Sequence, residues 1–230
     1  MLCSPNFLYK QEGVSGSLDD YSIAARMSYF LWNSLPDETL FELAKQGKIK
    51  DASVRREQAL RMLQDPRSER FANDYVHQWL DLEKLEIVEP DISIFTVEEF
   101  DLVRVQIREE PVEFFKEVLS SNLSLTNFID SDFVMLTPEL NYIYRIEGYP
   151  VAKPNKRPGA SKISPVDYKP KEITSEFSKV MLGEKDGYRG GLLSQAGVML
   201  MTTNNGEYTN PFYRGAWVLK IFYVVIRQPP

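Results

Sequence analysis

The feature that most constrains this chain is the spacing of its apolar residues before residue 150, where they recur every three or four positions through run after run. That period is the one-sided stripe of an α-helix, and glycine, proline and capping residues punctuate it into six predicted segments. The first is expected from Ser17, where Asp20 three residues on completes a capping-box pattern, through Ser34. Residues such as Tyr21, Ala25, Tyr29, Phe30 and Trp32 cover nearly every face of it, which predicts a helix at the centre of a bundle. Pro36 opens a short second helix, and Gly47 sits where a left-handed C-cap is expected. A third helix, residues 53–63, turns Val54, Ala59, Leu60 and Leu63 inward and ends at Asp65-Pro66. The fourth, residues 67–82, buries Phe71, Tyr75, Val76, Trp79 and Leu80. Thr96 and Glu99 form another capping pattern ahead of a long fifth helix to Ser120, in which Pro111 predicts a kink. A sixth runs from Thr137-Pro138 to Gly148.

The character then changes. Val151–Ile173 holds four prolines, six lysines or arginines and two acids, a local charge of +4 that reads as an exposed loop or linker. Phe177–Leu182 predicts a short strand, followed by helices over 191–201 and 211–225, the second capped by Asn210 with Pro211 at its first position. The expected fold is therefore mainly α, a multi-helix orthogonal bundle with a short strand or hairpin near residues 175–183. Its expected organisation is an α-helical domain over 1–150, a basic proline-rich linker over 151–173, and the N-terminal part of a second module over 174–230.

Composition narrows the function classes. A net charge of −6 argues against a general nucleic-acid binder, which needs a basic face. The single cysteine, Cys3, excludes an internal disulfide and any thiolate metal site built by this chain alone. No apolar run reaches the ~20 residues of a membrane-spanning helix; the longest, Trp217–Ile226, is broken by Lys220. Met1–Pro5 has neither the basic start nor the apolar stretch of a signal peptide.

His77 is the only histidine, so any triad or dyad would have to use it as base, yet it sits mid-helix in Tyr75-Val76-His77-Gln78-Trp79 among core aromatics. It reads as a structural imidazole, with general base or haem ligand to a partner domain as the functional alternatives. Glu109, Glu110, Glu113 and Glu117 lie three or four apart on the long helix and could share one face, interleaved with Arg108 and Lys116 as on a solvated surface. A di-iron site of that spacing also needs two Glu-x-x-His motifs, which one histidine cannot supply. A convergent pair of acids for glycoside hydrolysis stays open. Gly187-Tyr188-Arg189-Gly190-Gly191 precedes a helix but matches neither phosphate-binding fingerprint, and a tight loop for close packing explains it better. Arg189 and Arg214 each stand beside glycine at a predicted helix start, as ion-pair or ligand contacts.

Several segments in order resemble one family: Ser4-Pro5-Asn6-Phe7-Leu8-Tyr9, then Ala25 through Asp37, then Asp65-Pro66-Arg67-Ser68 and Gln78-Trp79-Leu80. They resemble the planctomycete, cytochrome-c-associated domain of unknown function fifteen ninety-two. Arg189-Gly190-Gly191-Leu192-Leu193-Ser194-Gln195-Ala196 and Asn210-Pro211-Phe212-Tyr213-Arg214-Gly215-Ala216-Trp217-Val218-Leu219 resemble the start of its usual neighbour, fifteen eighty-eight. The binding or motif candidates are thus Arg189, Gly190, Gly191, Gln195, Asn210, Arg214, Trp217 and His77; the sequence nominates no catalytic, cofactor or metal residue. The resemblance implies an exported, periplasmic protein in which these modules accompany c-type haem segments. It also implies flanking domains as partners, haem c in the full-length protein but none in this chain, and a sequence that stops before the haem motif. Met1-Leu2-Cys3 is expected to be the tail of an earlier helix.

Overall fold

A computed structural model describes residues 17–88, 97–151, 176–204 and 208–222, and these are mainly α with two short antiparallel strand pairs. The chain divides into two compact units, residues 1–74 and 75–230. The leading residues 1–16, Thr96, the basic stretch 152–173 and the apolar end 223–226 lie outside the described residues.

In the first unit, α1 (Asp20–Trp32), α2 (Glu38–Lys45), α3 (Ala52–Leu63) and the start of α4 (Glu69–Leu80) begin on aspartate-capped turns. Asp19 accepts the Ser22 N–H at 2.6 Å, Asp37 that of Leu40 at 3.0 Å, and Asp51 that of Ser53 at 2.7 Å. Asp65 accepts from Arg67 N–H at 2.9 Å in the 3-10 turn Pro66–Ser68 that leads into α4. Each cap satisfies a backbone donor that a helix start leaves orphaned. The cap of α1 is Asp19, not Ser17, because its extended backbone aims a charged acceptor at the first turn. Gly47 takes the expected left-handed φ of +68°.

The core of this unit gathers Ala24, Leu31, Trp32, Leu40, Ala44, Ile49 and Met62. Trp32 is wholly enclosed; its indole N–H donates to the Met62 carbonyl at 2.9 Å, and the Arg67 guanidinium lies 3.5 Å from the ring centroid. α1 is not a central helix: Tyr21, Tyr29 and Phe30 are 53%, 50% and 62% exposed, because its packing against α2 and α3 covers only one stripe. Leu60 likewise faces out while Met62 of the same helix is buried in the core cluster, and Gln58 turns inward, its side-chain oxygen accepting from Arg61 at 2.7 Å.

The second unit comprises the end of α4, α5 (Val97–Ser120), β1 (Phe133–Leu136), α6 (Asn141–Tyr144), β2 (Ser178–Met181), α7 (Ala196–Met201), β3 (Thr203–Asn204), β4 (Tyr208–Thr209) and α8 (Pro211–Phe222). β1 and β2 pair antiparallel, with Phe133 opposite Met181 and Leu136 opposite Ser178. All four residues of β1 are buried. The sixth helix expected from Thr137 contracts to the single turn α6. Asn141 explains this: its carboxamide oxygen accepts from Ile146 N–H at 2.7 Å and its NH2 donates to the carbonyls of Ile146 and Tyr149, folding the following chain back. Tyr75, expected inside, is part of an aromatic cluster but 39% exposed, with its ring 5.7 Å from Trp79 and 5.5 Å from Phe115.

Pro111 stands inside α5 and cannot donate to the carbonyl of Ile107 four residues back. Gly197 of α7 lies against that same carbonyl, where a Cβ would come within 2.9 Å of the oxygen. A missing donor on one helix thus meets a missing side chain on another.

Candidate functional site

The most unusual chemistry of the described residues is a carboxyl group sealed inside the second unit. The inward stripe of α5 runs Val103, Gln106, Ile107, Glu110, Phe114 and Val118, and Glu110 occupies it at 0% exposure. The Tyr144 hydroxyl of α6 lies 2.6 and 2.8 Å from its two carboxyl oxygens. That same hydroxyl accepts the Ala196 N–H at 2.7 Å, at the start of α7. The Arg189 guanidinium stands 4.7 Å from the Tyr144 ring centroid, a cation over the ring face. One phenol therefore joins three segments far apart in sequence.

Burial dominates the electrostatics. It pushes the Glu110 carboxyl up to about 8, and the hydrogen bonds from Tyr144 and the Ala196 backbone, with the charge of Arg189, pull it only part of the way back. Tyr144 is raised well above the ordinary phenol range, first by burial and then by Glu110. Glu110 is thus mostly a neutral acid near pH 7, the form that can both donate to and accept from the phenol.

Glu109, Glu113 and Glu117 face elsewhere, so the four glutamates do not share one surface. Glu109 lies 3.9 Å from His77 Nε2, with burial raising its carboxyl, while Glu113 pairs with Lys116 at 2.8 Å and Glu117 with Lys179 at 2.9 Å. The reason is angular: 109, 113 and 117 follow one another at one-turn intervals, whereas 110 is rotated by about 100° onto the apolar stripe.

The sequence candidates fall around this junction and beside it. Gly190 and Gly191 allow backbone contact: a Cβ on either would lie 2.6 Å from the backbone at Ser131 or Ile129, and Gly191 has a φ of +66°. Gln195 is 2% exposed and supplies the residue before α7. Asn210 caps α8 by accepting from Tyr213 N–H at 3.0 Å, and Arg214 donates from Nε to Thr202 Oγ1 at 3.1 Å. Trp217 is buried on the inward side of α8, with Phe222 at 6.3 Å. His77 stands apart from these, on α4 beside Glu109. Tyr144 is the residue that sequence reasoning missed, and Glu110 entered it only as one of four glutamates on the long helix; the signal that sets Glu110 apart is its place three residues after Ile107 and four before Phe114.

Among the described residues, no three His, Cys, Asp or Glu side chains gather as a metal ion would require, and no helix is long and apolar enough to cross a membrane.

The class of protein is set by a family model for a protein of unknown function, DUF1592 (PSD4), which matches residues 18–146, more than half of the chain. The chain belongs to this family. No curated protein and no solved structure matches it. The matched region contains Glu110 and Tyr144, whereas Arg189 and Ala196 lie beyond it, so the buried junction ties the family domain to the segment that follows.

Proposed function

We propose that this chain is a structural and docking module of an exported, periplasmic c-type cytochrome protein, one that packs against a haem-bearing domain and positions or shields it. The observation that carries this reading is the junction itself: the Ala196 N–H and the Arg189 guanidinium of the motif both engage Tyr144, whose hydroxyl holds an acid that is entirely enclosed, so these groups join segments. Family membership and the order of the motifs supply the context, including the likeness of residues 189–217 to the start of the neighbouring module fifteen eighty-eight. The deciding experiment compares the haem absorbance and reduction potential of the full-length protein with and without these residues. A shift in either supports docking at the haem; no change in both overturns it.

A second reading, part of an oxidoreductase or a carboxylate-based hydrolase completed by other segments, is favoured by one observation, the neutral acid Glu110 beside Arg189. Its 0% exposure weighs against it, because an acid must reach the atom it protonates. Turnover by the full-length protein that disappears in Glu110→Gln while the fold persists would establish this reading instead. Protein binding through the basic stretch 151–173 is a third reading, tested by salt-sensitive capture of an acidic partner; almost all of that stretch lies outside the described residues.

A further inference from the structure

Hydrogen counting at the junction leads beyond a docking role. The Tyr144 oxygen has one proton to give and already accepts the Ala196 N–H, yet it lies within hydrogen-bond distance of both Glu110 oxygens. Both contacts are hydrogen bonds when the carboxyl carries a proton, because one oxygen then donates to the phenol and the other accepts from it. Remove that proton and a full charge is left in a dry interior with only the phenolic hydrogen and the Ala196 N–H, which it shares with the phenol, to face it. No cation compensates directly: Arg189 lies over the ring of Tyr144, and among the described residues Glu110 has no salt-bridge partner. Of the elements around the carboxyl, α6 contributes Tyr144 and the loop before Leu192 contributes Arg189; the turn Leu82–Glu86, packed on α5 and α7, exposes its Glu83, Lys84 and Glu86 to solvent, and β1 and α7 carry no titratable side chain.

We propose that Glu110 is a proton-operated latch, closed onto Tyr144 and the start of α7 while its carboxyl keeps its proton, and loosening the chain at Ala196 when the proton leaves. Around the junction the chain makes close backbone contacts at Gly190, Gly191 and Gly197, while the buried side chains of Leu192 and Val198 hold the rest of the segment in the core. The sign follows from linkage. The closed form keeps its proton up to about pH 8, whereas an exposed glutamate loses it near 4.5. Closure is therefore fully stabilised below pH 4.5 and loses stability steadily as pH rises to about 8, about tenfold in the opening constant per pH unit, and then levels off.

Amide exchange of Ala196, measured in the whole chain from about pH 5 to 9 and corrected for the intrinsic exchange rate, reads this directly. The expected result is an opening constant rising about tenfold per pH unit toward pH 8, flat in Glu110→Gln, and flat for the Leu31 amide of α1 in both proteins. A pH-independent Ala196 opening in the wild type, or an equal slope in Glu110→Gln, overturns the latch. Should that variant not fold, infrared spectroscopy of the wild type decides: a protonated-carboxyl band that titrates near pH 8 supports the proposal, and its absence at neutral pH refutes it.

Discussion

Two carboxyl groups in this chain sit beside an arginine and an aromatic ring, and they end in opposite chemical states. In the first unit Asp65 is bridged by Arg67 at 2.9 and 2.8 Å while the same guanidinium covers Trp32. Hydrogen bonds from the Arg67 side chain and backbone hold that carboxyl down to about 2. In the second unit Glu110 is reached by Arg189 only across a ring, and burial drives it the other way. A cation close enough to donate, in contact with water, secures an ionised acid; a more distant cation in a dry interior does not. The first unit thus places its charges at the rim of its core and fills that core with apolar side chains. The second unit buries a set of polar side chains, Gln106, Asn141 and Thr202 among them, and with them one acid to which distant segments are fastened.

Breaking the apolar centre of the first unit should have the largest effect. Trp32→Ala removes a wholly enclosed ring and its hydrogen bond to Met62, and is expected to cost about 3–5 kcal/mol in chemical denaturation. Next, Tyr144→Phe leaves a buried carboxyl and the Ala196 N–H without their shared partner. A loss of about 2–4 kcal/mol is expected, measured by the same transition, and a neutral outcome would mean that the phenol is no fastener. Removing the cap of α1 by Asp19→Ala should cost about 1 kcal/mol, read as a lowered midpoint. The smallest effect belongs to Asp65→Asn, a few tenths of a kcal/mol at neutral pH because the pair is partly solvated. Its pH signature is the sharper test: the stabilisation from Asp65 is present above about pH 3.8 and is lost as pH falls through about 2, the reverse of the direction expected for Glu110.

What the sequence disclosed follows the range of the interactions. Gly47, Asp65-Pro66 and Asn210-Pro211 act within one turn of the chain, and the structure places each where local chemistry requires it. β1 gave no alternating signal because all four of its residues are buried, and its partner Ser178–Met181 lies beyond the basic stretch. α1 misled through its aromatics, whose size suggested enclosure on all sides although Phe30 needs only Phe71 on one edge. The site was half legible: Arg189 through Gln195 could be singled out from motif and glycine pattern, whereas Glu110 was masked by the three acids around it. Its orientation depends on Tyr144 and Ala196, contacts that no window of the sequence contains.

The wide separation of those partners has a consequence for the chain as it is made. Glu110 waits for Tyr144 across 34 residues, and Tyr144 waits for Ala196 across another 52. At roughly 5–20 residues per second, about 4–17 s of synthesis pass between the first and the last member of the junction. During that interval the glutamate is an ordinary wet carboxylate, so the nascent chain must take a proton from solvent as its last segment docks.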